Sequence, residues 1–328
     1  MSEEEPGGEE NFRNLFRTSE VVSFLIFVVL IAFFFMFLKQ SGGRVSNKGS
    51  PTISVAYGKS EKEIGSLMTE IRNGGDMPPL EDDFVMDKST DLASQDHNIV
   101  IKSEKTEQYL NLILLNLQKN FPDKWKARVI KFRVYDDRYV GKINNAFSLT
   151  AETVYVGITQ ILHVNDEAEM AALLSHEVSH IMLRHSAQLR KVIKNSTIFL
   201  QRAFIKKDFE KVVLIYFAVQ KLLGTTESAV GIVPMEFETE ADRMSQTIIR
   251  DSGYDDLALA VSLERIEKTY GGGIFTQVML KRIRDLKNGS KKKPGLAHVG
   301  KAFIVSNKED LNSVQANLQR FIDELALK

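Results

Sequence analysis

The sequence predicts an α+β chain, mostly α, with a small β-sheet and one N-terminal transmembrane helix. Three observations predict it. Residues 21–38 are an uncharged apolar run, residues 129–135 and 153–162 are rich in β-branched and aromatic side chains, and most of the chain after Asp166 repeats apolar residues at helical spacing. Lys plus Arg and Asp plus Glu both total 43, so no net field draws the chain to nucleic acid, which is not an expected partner. There is no cysteine, which removes disulfides, thiolate metal sites and cysteine nucleophiles together. Any metal must be held by His, Asp or Glu.

Residues 1–20 form an acidic tail, with Glu3, Glu4, Glu5, Glu9 and Glu10 against Arg13 and Arg17. The run 21–38, VVSFLIFVVLIAFFFMFL, is eighteen residues long and at about 1.5 Å per residue crosses roughly the hydrocarbon thickness of a bilayer. A cleaved signal peptide fits poorly. The preceding segment is acidic, the run is long, and KQSGGR follows without a small-x-small cleavage pattern. The bilayer is therefore an expected partner through 21–38, in a single pass. Arg13 and Arg17 face Lys39, Arg44 and Lys48 across the run, so the positive-inside rule separates the sides by one charge. The usual bacterial single-span layout gives the expected orientation, an inner-membrane anchor with the large domain periplasmic.

Residues 39–100 read as a tether and irregular segment, Gly- and Ser-rich to about 60 and interrupted by Pro78 and Pro79, with a short helix at 61–71. A domain at 101–328 follows. It opens with helical periodicity at 109–121, then strands at 129–135 and 153–162 with NNAFSLT between them. From Asp166 the chain is rich in Ala and Leu, acidic in its first turn and free of Gly and Pro through Ile193, which predicts one helix. Further helices are expected at 208–223, 235–251, 255–270 and 308–327. VVLIYFAV, 212–219, is too short to span a bilayer and reads as a core helix. The basic run 287–294, KNGSKKKP, reads as a solvated loop.

Within the long helix stands HEVSH, with His176, Glu177 and His180. Four residues on a helix place the two imidazoles about 40° apart and one turn along, so both reach one metal ion. Glu177, about 100° round from His176, is placed to take a proton from a water in the open coordination position. A catalytic zinc needs a third protein ligand. On an unbroken helix His185 lies about 140° from His180 and about 180° from His176, so it faces away and reads as a polar residue behind the site. Leu183 and Ser186 stand where the three-histidine pattern wants Gly and His. The remaining source is MEFETEADRMSQTII, 235–249, where Glu238 with Asp242 and Glu236 with Glu240 each share a helix face. Spacing alone leaves both pairs open.

HEVSHIMLRH followed by ETEAD resembles the zinc metalloendopeptidases of the HtpX and CAAX-prenyl-protease type, peptidase family M48, whose pattern is HExxHxxxRH and then ExxAD. The resemblance runs over about 105–270 and takes in INNAFSLTAETVYVGITQIL and SGYDDLALAVSLERI. It implies a zincin-type (gluzincin) domain in a single-anchor branch, Zn²⁺ on His176, His180 and Glu238, Glu177 as general base, and Asp242 orienting a ligating histidine. Glu240 is then an exposed spacer. It also implies that Asn145 and Ala146 lie beside the cleft, where an edge strand pairs with an extended polypeptide substrate. The expected activity is internal peptide-bond cleavage by a zinc-activated water, in quality control of membrane or envelope proteins. The alternative is a zinc-binding, non-catalytic chaperone-like protein of the same fold, which has no need of Glu177. The family's C-terminal His-Pro stretch is replaced here by KKKPGLAHVGKAF, leaving His298 as the candidate there for a switch or oxyanion residue.

Overall fold

A computed structural model describes residues 51–80, 100–101, 103–137, 146–148, 152–222, 234–270, 273–290 and 308–326. The run 21–38, Asn145 and His298 lie outside them. Among the described residues no helix is long and apolar enough to cross a membrane. These residues fall into two compact units, one from the described parts of Met1–Met77 and Leu189–Leu222, the other from those of Pro78–Gln188 and Leu223–Lys328.

In the larger unit a four-stranded sheet is built from β1 (Val100–Ile101), β2 (Lys131–Tyr135), β3 (Ala146–Ser148) and β4 (Thr153–Gly157), in the order β1-β2-β4-β3. β2 and β4 run parallel with Lys131 opposite Thr153, and β3 closes one edge antiparallel to β4 with Ala146 opposite Val156. β4 ends at Gly157, short of the expected 162, because a helix begins at Ile158. The Asp137 carboxylate, beyond the end of β2, accepts from the backbone N–H and the hydroxyl of Thr159, satisfying a donor of that helix's first turn.

The helices of this unit are α2 (Glu104–Gln118), α3 (Asp123–Lys126), α4 (Ile158–His163), α5 (Glu167–Met182), α8 (Met235–Asp251), α9 (Ala258–Tyr270), α10 (Gly273–Gly289) and α11 (Lys308–Ala326). In the smaller unit stand α1 (Pro51–Asn73) and α7 (Phe209–Leu222), and α6 (His185–Ile205) begins in the larger unit and continues in the smaller. α5 is capped by Asp166, whose Oδ1 accepts from Glu169 N at 2.9 Å, while Glu169 Oε2 accepts from Asn165 N at 3.1 Å. Apolar on nearly every side, with Met170, Ala171, Leu174 and Val178 fully buried, α5 is the central helix. α8 packs along it, with Ser245 Oγ donating to Ala172 O at 3.1 Å, and α10 lies against α8.

The single helix expected from Asp166 onward is two. It breaks at Leu183 and Arg184, and Arg184 adopts φ 59°. A left-handed turn at a residue with a Cβ costs about 1 kcal/mol, so contacts must hold it. The Arg184 guanidinium donates to the carbonyls of Pro78 and Pro79 at 2.6 and 3.0 Å, and Gln188 Nε2 donates to the Leu183 carbonyl left over by the break, at 2.9 Å.

In the smaller unit α1 is longer than the expected 61–71. It packs on α7, and the Asn195 side chain of α6 donates to the carbonyls of Ile71 and Gly74 at its C-terminal end. Ile64, Leu67, Ile71, Ile215, Ala218 and Val219 are buried there, yet Phe217 of the segment read as a core helix is 41% exposed.

Candidate metal centre

α5 carries His176 and His180 on one face with their Nε2 atoms 3.0 Å apart. Glu238, in the first turn of α8, puts Oε2 3.4 Å from His176 Nε2 and Oε1 3.6 Å from His180 Nε2. Three donors bound at about 2.0–2.1 Å in tetrahedral geometry stand roughly 3.4 Å apart, so this set fits a single ion, and His176, His180 and Glu238 form a metal-competent group. Each imidazole is held from behind at its other nitrogen. His176 Nδ1 lies 3.0 Å from Asp242 Oδ1, and His180 Nδ1 lies 2.8 Å from His185 Nδ1. Both Nε2 atoms are thereby turned toward the carboxylate.

The break after α5 changes the place of His185. On a straight helix it faces away from the two histidines; after the left-handed turn it lies against His180. Its ring stacks on Phe237 at 4.3 Å between centroids, and its Nε2 sits 3.2 Å from Glu240 Oε2. Glu240 is exposed, as expected of a spacer, and is in addition the partner of His185. Of the two acidic pairs left open by periodicity, Glu238 and Asp242 face the histidines.

Arg282, on α10, reaches the same site and was not singled out by the sequence. Its Nε and Nη2 donate to Asp242 Oδ2 and Oδ1 at 2.9 and 2.8 Å, and its Nη1 is 2.8 Å from Glu238 Oε2. Burial pushes Glu238 up, but Arg282 and then His176 outweigh it and hold the carboxyl at about 2. The same balance keeps Asp242 well below the usual carboxylate range. Burial works against a charged His176, yet Asp242 and Glu238 raise it to about 10, while burial and its charged neighbour drop His180 to about 3. The metal-free pair therefore keeps its proton on His176.

Glu177 is outside the donor set. Burial raises its carboxyl to about 7, and its charge is felt by His176, Glu238 and Arg282. Once His176 gives up its proton, as a metal ligand must, Glu177, Glu238 and Asp242 ionised against Arg282 leave two negative charges, the charge one divalent cation neutralises.

Ala146 lies on β3, the edge strand that packs against α5. A signal for Arg282 exists in the sequence. Met279, Ile283 and Leu286 are buried at helical spacing, and Arg282 stands in that stripe, where a buried arginine requires an anionic partner. The helix itself was hidden by Gly271 and Gly272 before it and Gly273 at its first position.

The sequence model described as peptidase family M48 matches residues 107–288, more than half of the chain, and it contains all the residues just described. A mitochondrial metalloendopeptidase OMA1 from Arabidopsis thaliana is 28% identical over 134 residues, which are 40% of this chain and 25% of that relative. The chain thus spans about a quarter of the length of the curated relative it matches.

Proposed function

Because the chain belongs to peptidase family M48, we propose that it is a zinc-dependent metalloendopeptidase held at a membrane by residues 21–38, in its single-anchor branch. The observation that carries this reading is the donor set of His176, His180 and Glu238, with the two Nε2 atoms 3.0 Å apart and the Glu238 carboxylate oxygens Oε2 and Oε1 3.4 and 3.6 Å from them. Asp242 and His185 brace it from behind, and Glu177 stands beside it. Zinc bound there supplies a Lewis acid that polarises the scissile carbonyl and makes water acidic near neutral pH. Everything else is done by the chain.

Asp242 and His185 fix the two imidazoles so that neither ring rotates away from its ligating orientation. Arg282 neutralises the carboxylates behind the site. Glu177 takes the proton of the attacking water and returns it to the leaving amide nitrogen, a transfer suited to a carboxyl lifted toward neutrality. The free edge of β3, beginning at Ala146 and preceded by Asn145, pairs with an extended polypeptide, which holds a chain on both sides of the cut and suits internal cleavage. His298 is kept as the candidate switch or oxyanion residue. The substrates we infer are damaged or unassembled membrane or envelope proteins. The anchor follows the bacterial single-span layout, with the catalytic unit on the periplasmic side.

The test is metal-dependent cleavage. Purified full-length protein is expected to carry one zinc per chain and to cut casein, to lose both on chelation and to regain both on stoichiometric zinc. Zinc that returns without cleavage would favour the non-catalytic binding protein.

A further inference from the structure

The turn between α6 and α7 presents three large apolar side chains to solvent. Phe204 is 42% exposed, Ile205 81% and Phe209 59%. One such residue is unremarkable on a soluble surface, but three at a single turn make a patch. The turn is firmly made. Lys206 N, Lys207 N and Asp208 N donate to the carbonyls of Arg202, Phe204 and Ala203 at 3.2, 3.0 and 3.0 Å. Lys207 takes the left-handed conformation with φ 57°, and Asp208 Oδ1 caps α7 by accepting from Lys211 N at 3.0 Å. The apolar side chains are thus displayed at a capped turn between two helices.

Around it stand Arg202, Lys206, Lys207 and Lys211, all exposed, against Asp208 and Glu210. Aromatic and aliphatic side chains ringed by lysines are the composition of segments that lie in a bilayer interface, where lysine stems run along the apolar depth and their ammonium groups meet phosphates. Protein interfaces are depleted of lysine, and a stable one covers roughly 800 Å² per partner, more than one turn offers. The compact unit that holds this turn also contains α1. Its first residue, Pro51, is separated from the apolar run by residues 39–50, a stretch that reaches at most roughly 45 Å.

We propose that the α6–α7 tip is a bilayer-docking wedge, seating Phe204, Ile205 and Phe209 in the headgroup region of an anionic membrane with Lys206, Lys207 and Lys211 on its phosphates. This contact uses none of the residues of the metal centre and none of 21–38. It gives the smaller unit a task that peptide-bond cleavage does not require.

The chain has no cysteine, so Ile205→Cys in the full-length protein gives one labelling site for an environment-sensitive fluorophore, and Leu115→Cys on α2, 59% exposed in the native chain, gives a reference. Both are reconstituted into phosphatidylcholine vesicles with and without phosphatidylglycerol. The expected result is blue-shifted emission at position 205, quenched by brominated lipid tails, stronger with phosphatidylglycerol and weakened by salt. Position 115 stays water-like. Reversing Lys206, Lys207 and Lys211 to Glu lowers the docked population by roughly fivefold per lysine. Water-like emission at 205 in both vesicle types would overturn the proposal. So would a blue shift that bromine does not quench and that grows with protein concentration, which would mark a second copy as the occupant.

Discussion

Arg282 grips Asp242 through two hydrogen bonds, Nε to Oδ2 at 2.9 Å and Nη2 to Oδ1 at 2.8 Å, and Asp242 in turn stands 3.0 Å from His176 Nδ1. A cation on α10 is in this way connected to a candidate ligand on α5 through a carboxylate on α8. Removing the arginine leaves the buried carboxylates of Glu238 and Asp242 with only the His176 proton as counter-charge. In metal-free protein Arg282→Met is expected to lower stability by about 3–5 kcal/mol in urea denaturation. Arg282→Lys recovers only part of this, because an ammonium does not reproduce the two-pronged geometry. A loss below about 1 kcal/mol would show that the arginine is not what neutralises the pair.

His185 holds the far nitrogen of His180 at 2.8 Å and is itself backed by Glu240 and Phe237. Losing a group that orients a ligand costs about 10–100-fold in metal affinity. His185→Ala is therefore expected to weaken zinc binding by that factor in competition with a chromophoric chelator. Unchanged affinity would reduce His185 to a packing residue on Phe237.

With His176 raised to about 10 in the metal-free site, its imidazole is protonated at neutral pH, and binding a metal expels that proton. The sign follows directly. Below about pH 10 the proton competes with the metal, so affinity rises by roughly tenfold per pH unit on approach to that value. Titration calorimetry in buffers of different ionisation enthalpy is expected to report release of about one proton per zinc near neutrality. No buffer dependence would contradict the proton's place on His176.

How much of this was legible in the sequence depended on how local each feature is. HEVSH was readable because spacing within one helix fixes the relative direction of two side chains, and the match over 107–288 bears out the family that the two motifs resembled. Choosing between Glu238 with Asp242 and Glu236 with Glu240 needed to know which face of α8 packs on α5, and periodicity carries no such long-range information. His185 was turned the wrong way because the left-handed residue at the break is an arginine, where no glycine or proline marks a stop. Arg282 went unseen because its helix opens on the last of three consecutive glycines.

In the proposed reaction Glu177 carries the proton beside a metal it does not hold. The most direct test is Glu177→Gln, which removes the base and keeps nearly the same volume. The variant is expected to hold one zinc per chain, as the wild type does, with cleavage of casein reduced by at least about 10²-fold. Cleavage at the wild-type rate with zinc in place would contradict it.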